Sequence, residues 1–393
     1  MPAFFAVWQA LRFLNEGSLI YDMHPAFVSA REFAHKHKKW EPIVFFIAGF
    51  AFDATLLHRI DDPLMLTHQA IYLSLCAAII AWDLFGDVAR AELPAESTGR
   101  IPKFFTKIWS YREGILHFML GTLLNVYTIF YFKSGTILSS LIFLALLASL
   151  LFLNETRPAN IPKHLLRNAL FSLCLISYLN VVVSILIGSI GLLVFIAALA
   201  VAACVHTLFS LFLKRKLDPQ KIRLQVQAPF WGILVVYGLL YFFKVLPPVP
   251  MSVKHIGIYH NVTRVDGGYQ LEMHRPEWKF WESGDQTFEA ARGDKLFCFV
   301  QIFAPSKFSD QLKVRWRFHD PRSGWTKGDA IPLGVSGGRE DGFRGFTSKS
   351  NYEPGNWRVE VETSDGREIG RINFTVETAT GASGDETPRY EIR

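Results

Sequence analysis

The sequence predicts a multi-pass α-helical membrane domain of seven helices, N-terminus inside and C-terminus outside, followed by an extracytoplasmic immunoglobulin-like all-β sandwich. Three observations predict it. Apolar runs of near-spanning length repeat from Pro42 to Leu246. Lys and Arg crowd every second connection between those runs. A joint with Pro247, Pro248 and Pro250 then ends the apolar half, and an alternating polar–apolar pattern begins. Of 393 residues, 50% are hydrophobic and 34 are Phe, so a chain with so polar a second half must have a very apolar first half.

A spanning helix needs about 20 mostly apolar residues. The candidates run near Pro42–Leu57, Leu66–Phe85, Gly114–Phe132, Thr136–Leu153, Leu166–Ile187, Leu192–Leu213 and Phe230–Leu246. Before the first lie Arg12, Arg31, Lys36, Lys38 and Lys39, and the first return has only Arg59. The next connection holds Arg90, Arg100, Lys103, Lys107 and Arg112, and the following turn Lys133 alone. Arg157, Lys163 and Arg167 come next, the Gly188–Ser189 turn has none, and Lys214, Arg215, Lys216, Lys221 and Arg223 follow. Cytoplasmic connections accumulate Lys and Arg, so this alternation puts the N-terminus inside and the β part outside. Residues 1–41 read as a cytoplasmic amphipathic and basic segment, with Gln9 and Arg12 in the apolar stretch Phe4 to Leu14 and no cleavage pattern after it.

Residues 42–246 thus form the membrane domain and 247–254 the joint, where proline removes N–H donors and clashes with the preceding turn. A stiff, extended joint would hold the second half, residues 255–377, over the outer ends of the helices. The remainder, 378–393, is rich in Gly, Ser, Thr and acids and is expected to be a flexible tail.

Several functions are disfavoured. The net charge of +6 comes from connections between apolar runs, which is topology rather than a nucleic-acid surface. Of four cysteines, Cys76, Cys174 and Cys204 lie in apolar runs and Cys298 alone in the β part, so neither a disulfide framework nor CxxC metal spacing exists there. His24, His35 and His37 flank a basic run before the first helix and read as part of that flank. No catalytic motif names a reaction, and neither a metal nor a cofactor is implied.

Ionisable groups inside a membrane segment are functional candidates by default. Asp53 is the clearest. An outer-facing polar cavity is expected around Asp53, His58, Arg59, His68, His117, Asn125 and Asn180, open to a lipid head group, a proton or a small solute. Helix packing is the alternative: Gly114, Gly121 and Thr128 continue the stripe of His117 and Asn125, Ser177, Ser184 and Gly188 that of Asn180, and His206 shares a face with Ser210.

Strands are predicted at Ile256–Val262, Tyr269–Met273, Leu296–Phe303, Leu312–His319, Ile331–Val335, Phe343–Ser348, Trp357–Glu362 and Ile369–Val376. Val314, Trp316 and Phe318 alternate with Arg315, Arg317 and His319, one dry face and one wet face. Trp278, Trp281, Trp325, Arg339, Arg344 and Lys349 sit near turns and Gly-rich loops, chemistry suited to a glycan or an anionic lipid head group. Trp316 and Trp357 fit the core better, and Trp278 and Trp281 also fit a membrane-interface belt.

The runs Gly337 to Ser350 (GGREDGFRGFTSKS), Pro354 to Val361 (PGNWRVEV) and Gly370 to Val376 (GRINFTV) carry a resemblance. They resemble the bacterial domain of unknown function numbered twenty-nine fourteen, a β domain at the C-terminus of polytopic proteins. Phe50 to Asp53, Arg59 to Asp61 and the Pro247 joint extend the likeness over the chain from Pro42 onward. The resemblance implies a Gram-negative inner-membrane protein with a periplasmic domain and carries no activity. The expected function is therefore a non-enzymatic envelope protein whose partners are the bilayer and an envelope protein, glycan or lipid head group, and not nucleic acid. The alternative is a transporter or flippase, or an enzyme on a lipid-linked substrate, using the cavity around Asp53.

Overall fold

The computed structural model describes residues 60–92, 112–135, 141–143, 145–150, 163–291, 293–305, 308–337, 342–378 and 388–393. The first expected helix, Pro42–Leu57, lies outside them with Asp53, His58 and Arg59, as does Arg339. Helices α1 (Pro63–Glu92), α2 (Arg112–Lys133), α3 (Leu141–Leu150), α4 (Lys163–Ile187), α5 (Leu192–Leu213) and α6 (Pro219–Phe242) overlap the other six expected runs, α3 and α6 in part. Four, rather than the expected seven, are long and apolar enough among the described residues to cross a membrane: α1, α4, α5 and α6. Their outward faces carry Ile71, Leu75, Leu193, Ile196, Leu208 and Val235, all exposed. α2 is buried nearly all round, from Leu116 to Tyr131, and forms the middle of the bundle.

Polar contacts fix the helix directions. Asp83 near the end of α1 pairs with Arg112 at the start of α2 (2.7 Å) and Arg167 at the start of α4 (2.6 Å). Tyr178, late in α4, donates to the Leu66 carbonyl, early in α1. The helices therefore alternate up and down. α6 starts eleven residues before the expected Phe230: Asp218 caps it, accepting from the Gln220 N–H, and Pro219 takes the first turn, where its missing N–H costs nothing. Pro229 then sits inside the helix. A proline clashes with the carbonyl four residues back and cannot bond it. Residues Arg223–Gln227 widen into a π turn instead, and the released Gln225 carbonyl accepts from Asn168 Nδ2 of α4 at 2.5 Å.

The joint is compact rather than extended. The Val249 N–H bonds the Pro247 carbonyl, and the Met251 N–H bonds that of Pro248. Three closely spaced prolines stiffen a chain, yet here the apolar side chains among and beside them fold it back. Leu246 and Val249 enter the bundle core, and Met251 enters the sandwich core.

Twelve strands follow: β1 (Ser252–Tyr259), β2 (Asn261–Val265), β3 (Gly268–Met273), β4 (Thr287–Ala290), β5 (Leu296–Phe303), β6 (Ser309–Asp320), β7 (Gly324–Trp325), β8 (Ala330–Ser336), β9 (Phe343–Lys349), β10 (Gly355–Glu362), β11 (Glu368–Thr378) and β12 (Arg389–Ile392). One sheet orders β1–β5–β9, and the facing sheet β4–β11–β10–β6 with β8 beyond. Three strands facing the β6–β10–β11 trio is the immunoglobulin-like arrangement. Trp316 of β6 is fully buried between the sheets, and its Nε1 donates to Thr347 Oγ1 at 3.2 Å. On the wet face Arg315 meets Glu362 (2.9 Å) and Arg317 meets Glu360 (2.6 Å), diagonal partners across β6 and β10.

A third, small sheet, β12–β3–β2, is inserted beside the sandwich over Tyr259, Val262, Leu271, Met273 and Phe299. The expected strand Ile256–Val262 is thus two strands, broken at His260, where the chain leaves β5 to pair with β3. The expected flexible tail ends in order: β12 pairs residue by residue with β3, from Arg389 opposite Met273 to Ile392 opposite Gln270. Four residues after a stretch rich in Gly, Ser and Pro are too short a run to show a strand period, and the open edge of β3 supplies the pairing.

Among the described residues, sandwich and bundle touch at two places besides the joint. The turn after α4 bonds the start of β6, Ser309 N–H to the Gly188 carbonyl (3.0 Å) and Ile190 N–H to Asp310 Oδ2 (3.3 Å), with Ile190 in the sandwich core. The end of α6 meets the β10–β11 turn. Tyr241 donates to Asp365 Oδ2 (2.8 Å), the Arg367 guanidinium lies 4.5 Å over the Tyr241 ring, and Lys244 reaches the Gly366 carbonyl.

Candidate functional site

In the bundle the expected cavity residues part company. On α1 the buried face runs through Gln69, Leu73, Cys76, Ile80 and Leu84, at helical spacing. His68 is one position off that face and exposed, its ring against Tyr72, while Gln69 points inward. Asn180 is buried and donates to Tyr131, which pairs with Tyr237. Asn125 is buried on α2, and the side chain of His117 lies outside the described residues. Asp83 and its two arginines were not singled out by sequence, although an acid inside an apolar run, with basic residues opening two other helices, is a signal for them. Among the described residues, the side chains of Gln69, His206 and Ser210 are buried with no hydrogen-bond partner, and His206 stacks on Phe230 at 3.8 Å.

The expected surface residues of the sandwich also fall in separate places. Trp325 lies under the Arg358 guanidinium (4.1 Å) with His319 at its edge. Lys349 pairs with Asp329 at 2.5 Å beside the Trp357 ring, and Arg344 donates to the Gly267 carbonyl. Trp316 and Trp357 are in the core. Among the described residues of that set, only Trp278 and Trp281 share a site, on the loop from β3 to β4, and Phe280 joins them. Their exposures are 63%, 61% and 80%, unusual for three large rings in a row of four residues.

Asp285 holds the base of that loop. Its carboxylate accepts the His274 N–H (3.0 Å) and the Arg275 N–H (2.7 Å), and its own N–H bonds the Ile258 carbonyl. Gly284 presses on the same carbonyl with φ +72, where a Cβ would come within 2.0 Å of the oxygen, so only glycine fits. His260 stacks between His274 and Phe288, its Nε2 3.5 Å from Asp285. Burial pushes the Asp285 carboxyl up to about 6 against the pull of the two backbone bonds. Burial, then the neighbouring His274, lowers His260 to about 4. Ile258 lies six residues along β1 from the helix end of the sandwich, about 20 Å at strand rise. That distance speaks against an interface belt for the loop.

Clefts lie on both sides of the loop, and Glu282 lines both. One, of about 400 Å³, is bounded by His255, Arg275, Phe280, Trp281, Arg389 and Tyr390. The other, about 490 Å³ and more open, is bounded by Gln286, Trp325, Asn356, Trp357, Asn373 and Thr375. Rings beside planar amides and guanidinium groups can stack on a ligand and fix it by directed hydrogen bonds. Among the described residues no cluster of His, Cys, Asp and Glu is placed to hold a metal ion.

Long apolar helices carrying an immunoglobulin-like sandwich define the class of protein. Within it, residues 309–376 match the family described as "Protein of unknown function (DUF2914)", so β6 to β11 carry the domain that the sequence resembles. The match is narrower than the resemblance from Pro42 onward, and it includes both docking sites, Ser309–Asp310 and Asp365–Arg367, but not the aromatic loop. No curated protein matches the sequence. Among solved structures, an immunoglobulin-like protein from Pseudomonas aeruginosa is 14% identical, covering 33% of this chain and 98% of its own, with a TM-score of 0.21. A β-glucosidase from Listeria innocua in complex with gluconolactone is 11% identical, covering 31% of this chain and 16% of its own, at 0.18. An alkylpurine DNA glycosylase from Pseudomonas fluorescens, bound to DNA, is 9% identical, covering 81% and 100%, at 0.21. Likenesses at these scores carry no functional argument.

Proposed function

We propose that this chain is a multi-pass protein of the bacterial inner membrane, with a cytoplasmic N-terminus and a periplasmic sandwich that binds an envelope saccharide without catalysis. The four long apolar helices and the alternation of Lys and Arg support the placement, with Pro42–Leu57, α2 and α3 completing seven crossings. The observation that carries the binding reading is the exposed row Trp278, Phe280, Trp281 between two polar clefts, away from the helix contacts. Solvent-exposed indole faces cost free energy unless something covers them, and sugar rings present matching C–H faces.

The test is binding of defined envelope oligosaccharides to the full chain in detergent, read by calorimetry. Wild type should bind at least one, and Trp278→Ala/Trp281→Ala should lose at least tenfold in affinity while melting at an unchanged temperature. Binding to no saccharide would overturn the reading. Gln69, His206 and Ser210, buried in the bundle without a side-chain partner among the described residues, would then favour the transporter or flippase alternative.

A further inference from the structure

The cleft on the β12 side differs from its neighbour in charge, and the difference specifies a ligand. Resting on the saccharide reading above, we propose that this cleft selects a sugar bearing an acidic group, a carboxylate or a phosphate.

Its floor is built by strand pairing. β12 lies along β3, and this brings Arg389 and Tyr390 to face Arg275 and the rings of Phe280 and Trp281. Three arginines, Arg275, Arg389 and Arg393, stand against two carboxylates, Glu282 and Glu391, a balance of 3 − 2 = +1 in the cleft lining. Both carboxylates are engaged, Glu391 with Arg393 at 2.8 Å and Glu282 with Lys279 at 3.6 Å. Arg389 reaches outward to Glu277, 85% exposed on the rim, an ion pair that water weakens and a ligand can replace.

Arg275 is the centre of the argument. Its Nε points at the Met273 sulfur (3.3 Å) and its Nη1 donates to the Lys279 carbonyl. Neither partner carries charge, and among the described residues Arg275 makes no ion pair. The guanidinium is thus held in place without being neutralised, the state that suits bidentate capture of an acid. Its field reaches His255, whose Nε2 is 2.8 Å from Tyr259 Oη. Burial first, then Arg393 and Arg275, lowers that imidazole to about 4. A neutral His255 leaves the positive potential to the arginines and offers a hydrogen bond to a sugar hydroxyl.

The rings supply the rest. Phe280, Trp281 and Tyr390 are exposed at the mouth, and a volume of about 400 Å³ falls in the range of small-ligand sites. The neighbouring groove, lined by Gln286, Asn356 and Asn373, has amides where this cleft has arginines, and suits neutral sugar hydroxyls.

The experiment titrates the full chain in detergent with trigalacturonic acid, with glucose 1-phosphate and with neutral maltotriose, following tryptophan fluorescence and heat. The acidic probes should bind at least tenfold more tightly than maltotriose, and the preference should shrink as salt rises. Trp281→Ala should weaken all binding in this cleft, whereas Arg389→Gln should reduce the acid preference at least threefold, with Arg275 still in place, and keep the ring contribution. Trp281 is exposed, and half-buried Arg389 gives up only an ion pair to the 85% exposed Glu277, so the melting temperature should hold. Equal affinity for maltotriose overturns the acid selectivity and leaves saccharide binding standing. Failure of all sugars, with Trp281-dependent binding to phosphatidylglycerol vesicles instead, overturns both.

Discussion

At the residue scale, Asp285 decides whether the aromatic loop keeps its shape. Its carboxylate closes the loop on two backbone N–H groups, and it faces His260 inside a mostly buried site. The two side chains pull stability in opposite directions. The Asp285 carboxyl rises from 3.8 to about 6, so between those values the folded state holds the extra proton, and this contribution is lost as pH rises through 6. His260 falls from 6.5 to about 4, so in that window the folded state lacks a proton, and stability is lost as pH falls. His255, also lowered from 6.5 to about 4, adds to the second effect. In Asp285→Asn the opposing carboxyl is gone and one amide oxygen still accepts from the backbone. The melting temperature of that variant should therefore fall more steeply than wild type from pH 6.5 to pH 4, as thermal melts across that range would show. An identical slope would mean that Asp285 does not share the proton balance of the site.

At the scale of elements, the parts that were legible in sequence are those with a simple period. β6 alternates Val314, Trp316 and Phe318 with Arg315, Arg317 and His319, and the strand is there. α5 matches its apolar run end to end, Leu192–Leu213. β12 was hidden because a short polar strand is defined by the open edge it joins, and β4 because four residues are too few to show a period and pair with β11, far along the chain. On α1 the inward residue is Gln69 rather than His68, a difference of 100° in helical phase that the chemistry of the two side chains does not reveal. The π turn of α6 needed both Pro229 and a partner from another helix, Asn168, which no local pattern links. This coupling can be measured. Asn168→Leu strands the Gln225 carbonyl in the core and should destabilise the bundle by about 1–3 kcal/mol. Pro229→Ala restores an N–H that can take that carbonyl, so the double variant should lose less than Asn168→Leu alone. Thermal melts of the four proteins in detergent close the cycle, and strict additivity would separate the proline from the asparagine.

At the scale of the whole molecule, the joint was expected to be a stiff spacer holding the sandwich over the helix ends. It is instead one of three attachments. Leu246 and Val249 anchor it in the bundle core, the α4–α5 turn holds Ser309 and Asp310, and the end of α6 holds Asp365, Gly366 and Arg367. Burial would raise the Asp365 carboxyl, but Arg367, Thr363 and Tyr241 outweigh it and keep it below the ordinary carboxylate value. That contribution is present above the ordinary value and is lost only as pH falls through the folded one. The docking should thus hold through the range in which the loop around Asp285 titrates. β1 leads from this anchored end to His255 in the cleft and on to Ile258 at the loop base, so a ligand and the helices press on one strand. The attitude of the sandwich can be read with spin labels at Leu193 and Lys313, both exposed, on a Cys204→Ser background because that thiol is exposed too. Wild type should give one narrow distance distribution. Tyr241→Phe/Asp365→Ala removes the side-chain hydrogen bond of the α6 contact and should broaden it, and a Gly/Ser insertion after Pro250 alone should broaden it less, because both loop contacts remain. A narrow distribution in a variant that carries both the double substitution and the insertion would show that the α4–α5 turn is enough to set the attitude, and that the Tyr241–Asp365 bond transmits nothing between the halves.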